Sequence, residues 1–206
     1  MSNINIYQIE KNTEDIRRTV LANIVKMFTE RKMLNSADLE KNIDAILKLQ
    51  SDDLIYSMKL NNERTLSIKI VFQKITAMNK SYGITDFLDS FQDDIKIIVV
   101  RDISKKAYMH IYNNYPNTEI FLEKNLMINL IEHVLVPKHE LLAENEYEDF
   151  FEKYHCKKRN IPKLYTTDPV AKYYNMKPGN ICRILRPSEK SGYVVSYRIV
   201  VKGSLK

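Results

Sequence analysis

The chain has 206 residues, 44% hydrophobic and 28% charged, and carries 32 Lys+Arg against 26 Asp+Glu for a formal charge of +6. These values fit one large or two small folded domains with a buried core, and they exclude bulk disorder and a collagen-like or low-complexity identity. No apolar run approaches the ~20 residues that a membrane helix needs.

Thr13 to Leu34 reads as an amphipathic helix, with Ile16, Val20, Ile24 and Phe28 every four residues and Asn12 or Thr13 as its cap. Ser36 opens a shorter helix carrying Leu39, Ile43, Ile46 and Leu47. From Leu66 the chain alternates through Ile68, Ile70 and Phe72, which predicts a half-buried strand. Tyr82-Gly83 is punctuation, and Ile84 to Phe91 a short helix. Ile95 to Arg101 is β-branched and apolar, a central strand buried on both faces. Ala107 to Tyr112 is expected to pair with it as the next strand, Thr118 to open a short helix reaching Lys124, and Leu126 to Glu132 to form another strand. This first half is α/β, a sheet flanked by helices.

Val136-Pro137 is the strongest break, because proline lacks an amide hydrogen and restricts its predecessor. The expected domains are residues 1–134 and 135–206, the second a small α+β unit. In it Ala143 to Tyr154 reads as a helix, and Asp168 to Tyr174 as a short one with Pro169 in first position. Ile181 to Leu185 and Tyr193 to Val201 read as strands, with Pro178-Gly179 and Ser191-Gly192 at turns.

Charge is uneven. Met1 to Val136 holds 18 basic and 18 acidic residues, whereas the stretch from Lys153 onward sets 13 basic residues against Asp168 and Glu189 alone. Such a segment seeks a polyanion or an acidic protein surface. Two cysteines, Cys156 and Cys182, make no disulfide scaffold, and Met1 to Ile6 lacks the basic start and apolar core of a secretory signal, so an intracellular setting is expected.

Catalytic patterns are thin. His133, His139, His155 and Cys156 are zinc-ligand types whose separations match no finger or knuckle, so no metal or cofactor is expected. Asp94-Ile95-Lys96, with Asp86 and Asp89 upstream, has the acid-x-Lys form that can hold Mg²⁺ on a strand edge for phosphodiester cleavage. There is no Gly-x-Ser-x-Gly and no glycine-rich phosphate loop; the chain has four glycines in all.

The last third carries the stronger signal. It reads Leu135-Val136-Pro137-Lys138-His139-Glu140-Leu141-Leu142, Ile161-Pro162-Lys163-Leu164 and Asp168-Pro169-Val170-Ala171-Lys172-Tyr173-Tyr174. After Gly179 it closes with Arg186-Pro187-Ser188-Glu189-Lys190-Ser191-Gly192 and Val195-Ser196-Tyr197-Arg198-Ile199-Val200. In order and spacing this series resembles the assembly domain of the fifth shared subunit of eukaryotic-type DNA-directed RNA polymerases, a domain with a counterpart among the archaeal polymerase subunits. The resemblance runs from about Leu130 to Val201. It implies docking on the largest polymerase subunit, with Pro137, His139, Asp168, Pro169, Gly179, Arg186, Ser188, Glu189, Tyr197 and Arg198 on the family's motifs.

The first half resembles the eukaryotic-type jaw domain in layout. The family's Thr-Pro-Ser-Ala loop near downstream duplex DNA has no counterpart in Ile103-Ser104-Lys105-Lys106, which leaves Lys105 and Lys106, in the turn after the central strand, as the DNA-proximal candidates. A short jaw, a full-length second domain and the abundance of Asn, Ile and Lys, 65 of 206 residues with A/T-rich codons, suggest a version from a large nucleocytoplasmic DNA virus. The resulting expectation is a non-catalytic polymerase subunit, working in a nucleus or in a virion and host cytoplasm. The rivals are a free-standing basic nucleic-acid-binding protein and a Mg²⁺-dependent nuclease using Asp94 and Lys96.

Overall fold

The computed structural model describes residues 12–49, 51, 53–76 and 82–203; the Met1 to Ile6 stretch read for a secretory signal lies outside them. The fold is α+β, and the chain divides into two compact units, Met1–Ile128 and Asn129–Lys206.

The first unit is a four-stranded sheet in the order β1-β2-β3-β4, formed by Ile55–Lys59, Thr65–Ile75, Ile95–Ile103 and Thr118–Leu122. β1 runs antiparallel to β2, and β2, β3 and β4 are parallel, so helices must carry the chain back between them. Those crossovers are α3 (Ile84–Ser90) and α4 (Lys105–Asn114), which share one face of the sheet through Phe87, Leu88, Ala107 and Ile111 against Ile98 and Val100. Helix α1 (Thr13–Glu30), capped by Asn12, buries Val20, Leu21, Ile24, Val25, Met27 and Phe28. It is tied to the opposite row of strand positions at both ends. Arg17 donates to the Tyr56 hydroxyl at 3.3 Å, and Arg31 makes two 2.8 Å bonds to the Glu119 carboxylate on β4. α2 (Leu39–Lys48), led in by a 3₁₀ turn at Ser36–Asp38, packs against α1, as does α5 (Glu123–Leu126).

Several sequence expectations change here. Ala107 to Tyr112 is not a strand but the body of α4: Ser104 caps it by accepting from the Ala107 amide at 3.2 Å, and Ala107 and Ile111, four apart, bury one face. The segment expected as a helix from Thr118 is strand β4, because the open edge of β3 satisfies its backbone; the helix starts only at Glu123. Leu126 to Glu132 is the end of α5 followed by a 3₁₀ turn at Leu130–Glu132. β2 is buried on both faces rather than half-buried, and even Ser67 and Lys69 are enclosed. Strand β1 carries no clear alternation, so its sequence gives no strand signal.

The second unit has sheet order β5-β7-β8-β6, from Lys138–Leu141, Ile181–Ser188, Gly192–Val201 and Lys163–Tyr165. β5, β7 and β8 are antiparallel neighbours, and β6 lies parallel to β8. One face packs Cys182, Ile184, Val200 and Leu164 on Ala171 and Met176, from and beside α7 (Pro169–Tyr173). The other packs Ile181 and Ile199 on Leu142, Ile161 and Phe150, the last from α6 (Tyr147–Tyr154). The helices at 147–154 and 169–173 and the strands β7 and β8 lie where the sequence placed them. β5 and β6, four and three residues long, are too short to announce themselves.

Candidate functional site

Pro137 leads into β5, and its carbonyl lies 2.6 Å from His139 Nδ1. β5 register then sets His139 opposite Ile184 and Glu140 opposite Arg183. Glu140 Oε2 accepts from Arg183 Nε at 3.0 Å and Nη2 at 2.7 Å, and its other oxygen meets Lys138 Nζ at 2.8 Å. The hydrogen bonds from Lys138 and then Arg183 hold the Glu140 carboxyl below its ordinary range. Burial lowers the affinity of His139 for a proton, opposed by its bond to Pro137 and by Asp168, and reinforced by Arg198 and Arg186.

The motif residues therefore divide by face. His139, Arg186, Ser188 and Arg198 occupy one side of the sheet, with Asp168 near enough to act on the imidazole. Asp168 is also a helix cap, accepting from the Val170 amide at 2.9 Å with Pro169 in the first turn. Tyr197 points to the other side and packs on Phe150 at 4.7 Å and Tyr154 at 5.2 Å between ring centroids. Glu189 sits in the turn between β7 and β8. Gly179 adopts φ +97°, a conformation costly for a residue with a Cβ, and its amide donates to Val200. Burial pushes the Cys182 thiol up to about 11, so it serves as a core residue.

A set of exposed apolar side chains has no counterpart among the sequence expectations. Val134 is 95% exposed, Leu135 84% and Tyr193 71%, with Val194 and Val195 at 48% and 46%. The available signal was the absence of any charged residue from Tyr193 to Tyr197 at the start of a strand.

In the first unit, Lys105 and Lys106 are not in a turn but are the first two residues of α4; both are exposed, and neither forms an ion pair among the described residues. Lys96 is not at a strand edge either. β3 is central, Lys96 is 2% exposed, and its ammonium donates to the carbonyls of Phe91 and Gln92, each at 3.1 Å. Asp94 Oδ2 accepts from Ser67 Oγ at 2.6 Å. The acid-x-Lys pair thus closes the α3–β3 junction. Among the described residues no three His, Cys, Asp or Glu side chains gather as a metal site. His133 Nδ1 accepts from the Leu135 amide at 3.2 Å, and His155 ends α6 in a left-handed conformation.

Residues 128–200 match the family described as RNA polymerase Rpb5, C-terminal domain. Over 204 residues the chain is 31% identical to DNA-directed RNA polymerase subunit 5 of Acanthamoeba polyphaga mimivirus, covering 97% of this chain and 98% of that protein. It is 30% identical to the DNA-directed RNA polymerases I, II, and III subunit rpabc1 of Dictyostelium discoideum, over 90% of this chain and 95% of that one. The Caenorhabditis elegans protein of the same name is 32% identical over 66% of this chain and 59% of its own length.

Proposed function

The chain belongs to the Rpb5 family of DNA-directed RNA polymerase subunits, and on that premise we propose that it is a non-catalytic subunit with two divided tasks. The second unit docks it on the largest subunit, and the first forms part of a jaw beside downstream duplex DNA. The likeness to the mimivirus subunit along nearly the whole chain carries this reading, since it spans both units rather than the docking motifs alone. The motif residues support it physically. Asp168, Pro169 and Gly179 shape the loops of the second unit, while His139, Arg186, Ser188 and Arg198 furnish a polar face and Glu189 the hairpin turn between β7 and β8.

In the first unit, Lys105 and Lys106 are the side chains we assign to DNA. They are exposed cations in the first turn of a ten-residue helix, at the positive end of its dipole, a setting that attracts phosphate. Such contacts are sequence-independent, as a jaw sliding over any template requires. The chain acts wherever its polymerase does, in a nucleus or in a virion and host cytoplasm. No described helix is long and apolar enough to cross a membrane.

Affinity purification of the tagged full-length chain tests the proposal. Recovery in equal stoichiometry with two very large chains is the expected result. Recovery of the chain alone, or with nucleic acid only, would replace the reading with that of a free-standing basic nucleic-acid-binding protein.

A further inference from the structure

The β7–β8 pair is longer than the strands beside it. β5 covers β7 only from Cys182 to Leu185, and β6 covers β8 only from Ile199 to Val201. From Tyr193 to Arg198 the outer side of β8 bears no strand among the described residues. Two bonds fix which amides face outward. Ile199 N–H donates outward to the Pro162 carbonyl at 2.9 Å, and Val200 N–H donates inward to Asn180 at 2.8 Å. The two-residue period of a strand then turns the N–H groups of Val195 and Tyr197 outward, toward the uncovered side.

This edge lacks the usual guards. Exposed edges are normally blunted by lysine, proline or a bulge, because bare backbone donors beside apolar side chains recruit other strands. Tyr193-Val194-Val195-Ser196-Tyr197 contains no charge and no proline, and β8 pairs with β7 without a register shift. Tyr193, Val194 and Val195 stand exposed along it. On the face of Tyr193, Val195 and Tyr197 the neighbouring cation, Arg183 opposite Tyr197, is already paired with Glu140, and the other face carries two more. Arg198 ends the open stretch, and Arg186, opposite Val194, lies on the same face. The carboxylate in electrostatic reach of that face, Asp168, is already engaged in capping α7.

We infer that the outer edge of β8 accepts an extended segment of another polymerase subunit by strand addition. In that segment apolar side chains lie against Tyr193 and Val195, and the alternating ones are acidic and face Arg186 and Arg198. Main-chain bonds to Val195 and Tyr197 supply the register, and the side-chain alternation supplies selectivity. The inference rests on the reading of the second unit as the docking unit and names how it docks.

The test uses the full chain and the assembled polymerase. Val195→Pro removes one outward N–H while leaving the inward ladder to β7 intact, the position at which an edge strand tolerates proline. In competition with the wild type, its incorporation should fall by about tenfold or more, with an unchanged thermal transition. Hydrogen exchange of the wild type gives a readout independent of whether the variant folds. The Val195 and Tyr197 amides should exchange fast in the free chain and at least about a hundredfold slower in the polymerase. Unchanged exchange in a polymerase that retains the chain overturns strand addition and leaves the subunit reading standing. Protection already present in the free chain, growing with its concentration, overturns it in favour of a second copy as occupant. A wild-type chain that never joins the polymerase overturns the subunit reading itself.

Discussion

Replacing Lys105 and Lys106 by glutamate should move DNA grip and fold stability in opposite directions. Both lysines occupy the first turn of α4, which contains no acidic residue, so two cations sit at the positive end of the helix dipole. That placement costs about 0.5 kcal/mol per residue, and glutamates there remove the cost and reverse its sign. The isolated variant should therefore unfold at equal or higher denaturant than the wild type. DNA binding follows a different law. Each phosphate contact contributes about −0.9 to the slope of log affinity against log salt, so losing two changes the slope by about 1.8. Over a fourfold rise in salt, from roughly 50 to 200 mM, the wild-type advantage should shrink by about twelvefold. The assay is the half-life of the assembled polymerase on downstream duplex across that salt range, for two unrelated sequences, alongside urea unfolding of the free chain. Incorporation should be unaltered. Coincident salt slopes would refute the contact, and a slope change confined to one sequence would refute its phosphate character.

Other expectations follow from single interactions. Arg31→Ala removes both Arg31 bonds to the enclosed Glu119 carboxylate and should cost about 3 kcal/mol in urea unfolding, while Arg31→Met with Glu119→Leu should recover most of it; a loss near zero in Arg31→Ala would mean the pair is replaceable surface. Because burial depresses the His139 pKa below its ordinary 6.5, the unfolded chain binds the proton that the folded chain sheds. Its contribution is thus full above that value and declines as pH falls through it, so the urea midpoint should drop between about pH 7.5 and 5.5 and drop less in His139→Gln; a midpoint that rises on acidification contradicts the assignment. Asp94→Ala with Lys96→Ala removes one partner each from Ser67 and from two carbonyls, so it should destabilise the first unit. Neither it nor the wild type should cleave DNA with Mg²⁺, and cleavage lost in the variant would restore the nuclease reading.

The elements legible in the sequence were those whose periodicity survives without tertiary context. The apolar stripe of α1, the solid run of β3 and the Asp168-Pro169 helix start each announce a local physical preference. The misreadings fall where local and tertiary forces compete. Thr118–Leu122 has helix punctuation at Thr118, yet the open edge of β3 offers bonds that a free helix cannot match. Ala107 to Tyr112 contains aromatic and β-branched residues suited to strands, but the cap at Ser104 and the Ala107–Ile111 spacing settle it as helix. The candidate site shows the same split. The residues named by motif lie in caps, turns and paired strands, whereas the uncovered edge of β8 is invisible until the lengths of β5 and β6 are known.

That contrast bears on how the second unit recognises its partner. Its net positive charge, which dominates the sequence, acts over roughly a Debye length and steers an acidic surface toward it without fixing an orientation. A bare strand edge does the converse. It contributes nothing at long range, but slipping one residue along it would turn every apolar contact on Tyr193 and Val195 to the face of Arg186 and Arg198. A partner drawn by charge alone would tolerate many registers, and a partner held by the edge alone would be found slowly. On the proposed docking, with both in one unit, the cations would set the rate of encounter and the amides of Val195 and Tyr197 its geometry. Added salt should accordingly slow assembly far more than it shortens the lifetime of the assembled complex.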